Sequence, residues 1–153
     1  MKSSSIILNI LLGLFKHILV IDFEFKQPLG NSPMLVCMVV KDIVTKTTKK
    51  YWLVGKKKIK FPFPIGESLF VGHYLVAEVN CLLQLQLQKP KNLWDTWVEN
   101  RKLYNGKIKK GFGLVDCLSR YGIDYPLDKD KWRDVVVGKK DDQDKMFLPK
   151  YSK

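Results

Sequence analysis

His17-Ile18-Leu19-Val20-Ile21-Asp22-Phe23-Glu24-Phe25 is the stretch whose reading decides the fold. Its β-branched and aromatic side chains begin without a polar break, the pattern of a strand buried on both faces, so a central strand is expected over 17–25. Alternate side chains of a strand share a face, and Asp22 and Glu24 therefore project together. Ionised carboxylates side by side at the end of an apolar strand repel each other and lose hydration, which a divalent cation would offset. Hard oxygen ligands favour magnesium or manganese over zinc. Such a pair suits two-metal phosphoryl chemistry, in which ions about 3.5–4 Å apart activate a water and stabilise a leaving oxygen. The plain alternative is an Asp-x-Glu strand end that only meets solvent.

Outward from this strand, Gln27 to Asn31 contains Pro28 and Gly30 and reads as a turn. Met34 to Val44 gives a second strand and Lys49 to Val54 a third, joined through Thr45 to Thr48, so the first three strands form an antiparallel meander. Phe61-Pro62-Phe63-Pro64 interrupts the sheet, because proline has no amide to donate. Leu69 to Val71 reads as a short strand and Tyr74 to Leu87 as a helix with Leu75, Val79, Leu82, Leu83 and Gln86 near one stripe. A further strand at Leu93-Trp94 precedes a helix capped by Asp95 or Thr96 and running to Leu103, and Leu114 to Tyr121 forms the next helix. A meander followed by alternating strands and helices is an α/β mixed sheet, the class that includes the ribonuclease H-like fold.

At 153 residues the chain has room for one core. Its 27 Lys+Arg against 15 Asp+Glu leave a net charge of +12, a field that attracts polyanions and makes their binding salt-dependent. Nucleic acid is the first partner this suggests; a merely solvated basic surface is the alternative. Cys37, Cys81 and Cys117 are odd in number, widely spaced and flanked by apolar residues, as reduced core fillers are. With only His17 and His73 and no Cys-x-x-Cys pair, a structural zinc site is not expected. The apolar stretch Ile6 to Phe15 follows Lys2 as in a signal peptide but has no small-residue cleavage site after it. It is also shorter than the about 20 residues that cross a bilayer. Residues 1–16 are therefore read as an apolar leader packed on the domain, with export as the alternative, and 17–153 as the domain itself.

A series of motifs in order points further. Asp22-Phe23-Glu24, then Val71-Gly72-His73-Tyr74 with Glu78 one helical turn on, then Trp94-Asp95-Thr96, then Gly113-Leu114-Val115-Asp116-Cys117-Leu118 with Tyr121-Gly122-Ile123, resemble the exonuclease motifs of DEDD-type 3′→5′ proofreading domains of family A DNA polymerases. Ala77 to Cys81, Trp94 to Glu99 and Leu103 to Gly106 are similar to a phage or bacterial branch of that family. Glu78 stands where the family has Asp, and Tyr74 where it has Asn.

The resemblance implies a ribonuclease H-like fold and hydrolysis of phosphodiester bonds at the 3′ end of single-stranded DNA. It implies magnesium or manganese held by Asp22, Glu24 and Glu78, and Tyr151 orienting the attacking water. The acidic partner of Tyr151, four residues on, would fall beyond Lys153, so the domain is expected to be incomplete at its carboxyl end. A polymerase domain in a longer protein, and the cytoplasm of a bacterial or phage-infected cell, follow from the same resemblance, with no membrane partner. Nucleic-acid contacts are expected from Lys107, Lys109 and Lys110 beside Phe112, and from Tyr74. An inactive nucleic-acid-binding remnant of the same fold is the alternative function.

Overall fold

The computed structural model describes residues 9–27, 32–109 and 111–125. Residues 9–14 are helical (α1), followed by β1 (Ile18–Lys26), β2 (Met34–Asp42), β3 (Thr48–Trp52), β4 (Leu69–Gly72), α2 (Leu75–Gln84), β5 (Asn92–Asp95), α3 (Thr96–Leu103) and α4 (Leu114–Arg120). The five strands lie in one sheet in the order β3-β2-β1-β4-β5. β1–β2 and β2–β3 are antiparallel, while β1–β4 and β4–β5 are parallel. This is the expected ribonuclease H-like mixed sheet, in which an antiparallel meander is continued by alternating strands and helices. No helix among the described residues is long and apolar enough to cross a membrane.

β1 is central in strand order, as its composition predicts, and among the described residues one of its faces is covered more fully than the other. Leu19, Ile21 and Phe23 are buried with Met38 and Val40 of β2, Phe70 of β4 and Leu75, Cys81 and Leu82 of α2. The opposite face carries Val20, Asp22 and Glu24, and there Val20 is 38 % exposed. Val39 and Trp52, which share that face through their pairing with Asp22 and Cys37, are exposed as well. Among the described residues α2 seals the Leu19 face, while on the other face the expected burial holds at Ile18, 2 % exposed, and not at Val20.

Element ends have local causes. β2 stops at Asp42 rather than Val44, because the Asp42 carboxylate turns back on the chain and accepts from the Val44 amide at 3.0 Å and the Thr45 hydroxyl at 2.7 Å. α2 ends at Gln84 instead of Leu87, with Gln86 in the left-handed region at φ 57°. The buried stripe of α2 is consequently Leu75, Glu78, Cys81 and Leu82, while Leu83 and Gln86 face solvent. Between β3 and β4 no helix forms; Phe61 and Phe63 fold onto the core, Phe61 stacking 6.0 Å from Phe70. Of the expected leader, residues 9–16 are described, and there Ile10 and Leu14 are 56 % and 70 % exposed.

Candidate functional site

The parallel pairing of β1 with β4 stops at Val20 and Val71, β4 and β5 end together at Gly72 and Asp95, and α2 and α3 start just beyond, while β1 runs on to Lys26. In sheets of this kind ligands bind beyond the carboxyl ends of the parallel strands. Every residue from the first two sequence motifs stands at or near this edge. Asp22 and Glu24 share one face of β1, opposite Val39 and Cys37 of β2 respectively. Asp22 is exposed and Glu24 half-buried.

The Cys37 thiol registers their field. Burial pushes its pKa up, and the negative charges of Glu24 and then Asp22 push it further, against a backbone hydrogen bond at Glu24 that acts the other way. The two carboxylates thus act on one neighbour from one side, as alternation along the strand requires.

Glu78 sits in the first turn of α2 and is buried at 7 % exposure. Its charge acts on Cys81, one turn later, whose thiol is pushed up to about 12 by burial first and by Glu78 second. α2 packs on the face of β1 that carries Leu19, Ile21 and Phe23, the face away from Asp22 and Glu24. Among the described residues no three His, Cys, Asp or Glu side chains are grouped closely enough to hold a metal ion. The structure places Asp22 and Glu24 on one face of β1 and Glu78 in the first turn of α2, the helix that follows β4. Two adjacent carboxylates fit one hard divalent cation, and a two-ion clamp would need a further acidic ligand.

The start of α2 is built around Asp95. Its carboxylate accepts from the amides of Tyr74 at 3.0 Å and Leu75 at 2.8 Å, and also from Trp97 at 2.9 Å in its own helix α3. One side chain thus satisfies the open amides at two helix starts, including the N-cap role foreseen for it. Tyr74 is held at φ 68°, ψ 54°, a left-handed conformation uncommon for an aromatic residue, with its side chain 51 % exposed. Close by, His73 Nε2 donates to the Phe112 carbonyl at 2.8 Å, and its Nδ1 lies 3.0 Å from the Thr96 hydroxyl. His73 is a hydrogen-bonded strut joining β4, α3 and the loop before α4.

Of the basic loop, Lys107 and Lys109 are exposed, whereas Phe112 is 9 % exposed with its ring between Arg101 at 4.9 Å and Arg120 at 5.6 Å. Lys110 and Tyr151 fall outside the described residues. Trp97 and Arg101 stand in contact, the guanidinium 5.0 Å from the Trp97 ring centre. Their four-residue spacing on a helix was the signal available for that contact. A groove of about 470 Å³ between α2 and α3 is lined by Val76, Val79, Leu93, Val98 and Lys102 among others. None of the three acids lines it.

No protein-family model matches the chain, and no curated protein matches it. Among solved structures it is similar to the EXO domain of Aedes aegypti Nibbler, at 9 % sequence identity and a TM-score of 0.45, with 85 % of this chain and 76 % of that one covered.

Proposed function

We propose that this chain is a 3′→5′ exonuclease domain that acts on the end of a single nucleic-acid strand, DNA in the first instance. The observation that carries this reading is the placement of Asp22 and Glu24 on one face of the central strand, just beyond the last β1–β4 pair and beside the edge where β4 and β5 end. That edge opens to solvent beside a protein of net charge +12, so a phosphodiester can be drawn to it and reach the carboxylates.

Asp22 and Glu24 would hold a magnesium or manganese ion, which when bound supplies charge to polarise a phosphate and lower the pKa of a water. Glu78 and Tyr151 are proposed as the further ligand and the water-orienting group that the motif series assigns to them. The chain's own contributions are distinct from that chemistry. The backbone at the edge is fixed by Asp95 and His73, and exposed Lys107 and Lys109 offer cationic contacts to the sugar-phosphate chain. A polymerase partner within a longer protein is proposed on the motif resemblance alone.

The net charge of +12 also suits a second reading, a nucleic-acid-binding domain without hydrolysis. One experiment separates the two. Purified protein with manganese and a 5′-labelled single-stranded oligonucleotide should produce a ladder shortened from the 3′ end, and Asp22→Ala should abolish it. A ladder unchanged by Asp22→Ala removes the assignment of the carboxylates. Binding that weakens steeply with salt, with no shortening, establishes the second reading instead.

A further inference from the structure

The exposed ring of Tyr74 is the least expected feature of the sheet edge. A bulky side chain at φ 68° is held against the steric preference of L-residues, which glycine or asparagine would meet with less strain. The backbone is kept there by the Asp95 carboxylate, which takes the amides of both Tyr74 and Leu75. The same carboxylate takes the Trp97 amide, so one residue sets both the Tyr74 backbone and the helix start that bears Trp97.

The rings meet edge to face, with centroids 5.5 Å apart and planes 77° apart. On Trp97 lies the Arg101 guanidinium, at 5.0 Å. Arg101 is exposed and is itself steadied against Phe112 at 4.9 Å. The result is a solvent-facing aromatic plate, buttressed by a second ring, with a fixed cation next to it. It stands where the parallel strands end, and Asp22 lies two residues beyond the last β1–β4 pair, Val20 with Val71.

We infer that Tyr74, supported by Trp97 and accompanied by Arg101, is a stacking station for a nucleobase of a single strand, with Arg101 facing the adjoining phosphate. An unpaired base offers a flat π surface that a tyrosine face can cover whatever its identity, and a phosphate follows it at the reach of a neighbouring arginine. The charge of the chain selects this occupant over an apolar peptide, because a net +12 draws a polyanion and gives an uncharged hydrophobic segment no advantage. The inference rests on the nucleic-acid reading above and adds the residues that receive the base.

Binding is measured by fluorescence anisotropy with the whole chain, in excess EDTA so that no strand is cut. The ligands are a single-stranded oligonucleotide and the same length of abasic strand. Tyr74→Asn removes the ring while suiting the left-handed backbone, and its folding is checked by thermal unfolding. The intact strand should bind Tyr74→Asn about 5- to 100-fold more weakly than the parent, the range of one stacked base. Tyr74→Phe should bind as the parent does. The abasic strand should bind the parent less well by a similar factor and should not distinguish parent from Tyr74→Asn, a comparison that holds without any variant.

Equal binding of the intact strand by parent and Tyr74→Asn, or equal binding of intact and abasic strands by the parent, overturns the station while leaving the exonuclease assay to stand on Asp22. No binding of either strand by the parent overturns the station and the nucleic-acid reading together.

Discussion

The carboxylate of Asp95 accepts from the backbone amide of Leu75 at 2.8 Å, joining the end of one parallel strand to the start of the helix that follows its neighbour. The same group also accepts from Tyr74 and from Trp97, so one carboxylate ties the starts of both helices together. Replacing a single helix cap by alanine costs about 0.5–2 kcal/mol. Asp95→Ala loses the cap of both helices and should destabilise the protein by about 2–3 kcal/mol on that scale. Asp95→Asn, whose amide oxygen still accepts, should lose less. Urea unfolding of the three proteins checks the order, and an Asn variant as weak as the Ala variant would show that the charge, not the acceptor, matters.

The strand at Ile18 was legible because β-branched residues without polar interruption suit a sheet interior, and the acids two apart stated their common face. What the pattern could not convey is which face would be sealed, since Val20 and Ile21 are equally apolar while only Ile21 is covered by α2. The helix at Leu75 was recognised by its spacing, yet Leu83 was placed inside. Spacing sets a stripe only as far as the helix runs, and Gln86 leaves it in a left-handed turn. Asp95 was readable as a cap of its own helix. Its grip on Tyr74 and Leu75 spans some twenty positions and exists only once β4 and β5 pair.

Asp42 is a second carboxylate turned inward, fully buried, accepting from His17 at 2.8 Å, the Thr45 hydroxyl, and the amides of Ile18 and Val44. Burial by itself would raise its pKa; the hydrogen bonds from His17, Thr45, Val44 and Ile18 outweigh burial and hold it below the ordinary 3.8. A carboxyl depressed in the folded state stabilises the fold fully above its unfolded value and loses that contribution as pH falls through the folded one. Stability should therefore drop below about pH 4. Asp42→Ala should flatten that acid limb and, by leaving buried donors unmet, cost about 3–5 kcal/mol at neutral pH. Unfolding midpoints from pH 2 to 7 measure both effects; an unchanged acid limb in the variant would assign it to other carboxyls.

Lys26, at the end of β1, is buried at 6 % exposure, and its ammonium has no hydrogen-bond partner among the described residues. Taking an ammonium out of water without a partner is unfavourable, so an apolar side chain of similar volume suits the position better. Lys26→Met should accordingly raise the melting temperature. A fall would mean that the ammonium makes an attraction that the methionine cannot replace.

Cys37 reports on the carboxylate pair without any assay of activity. Its thiol is raised by burial, then by Glu24 opposite it across the β1–β2 ladder, then by Asp22. The thiolate is the nucleophile in alkylation, so a raised thiol reacts slowly near neutral pH. Removing the charge at Glu24 should lower the pKa and speed alkylation, while removing the charge at Asp22 should do so by less. The measurement is the rate of iodoacetamide labelling of Cys37 against pH, in a background where Cys81 and Cys117, both buried, are replaced by alanine or serine as folding allows. Glu24→Gln should shift the profile to lower pH, Asp22→Asn should shift it in the same direction by a smaller amount, and the double variant should shift it furthest. If Asp22→Asn moved the profile more than Glu24→Gln, the register that sets Cys37 against Glu24 would be wrong by two residues.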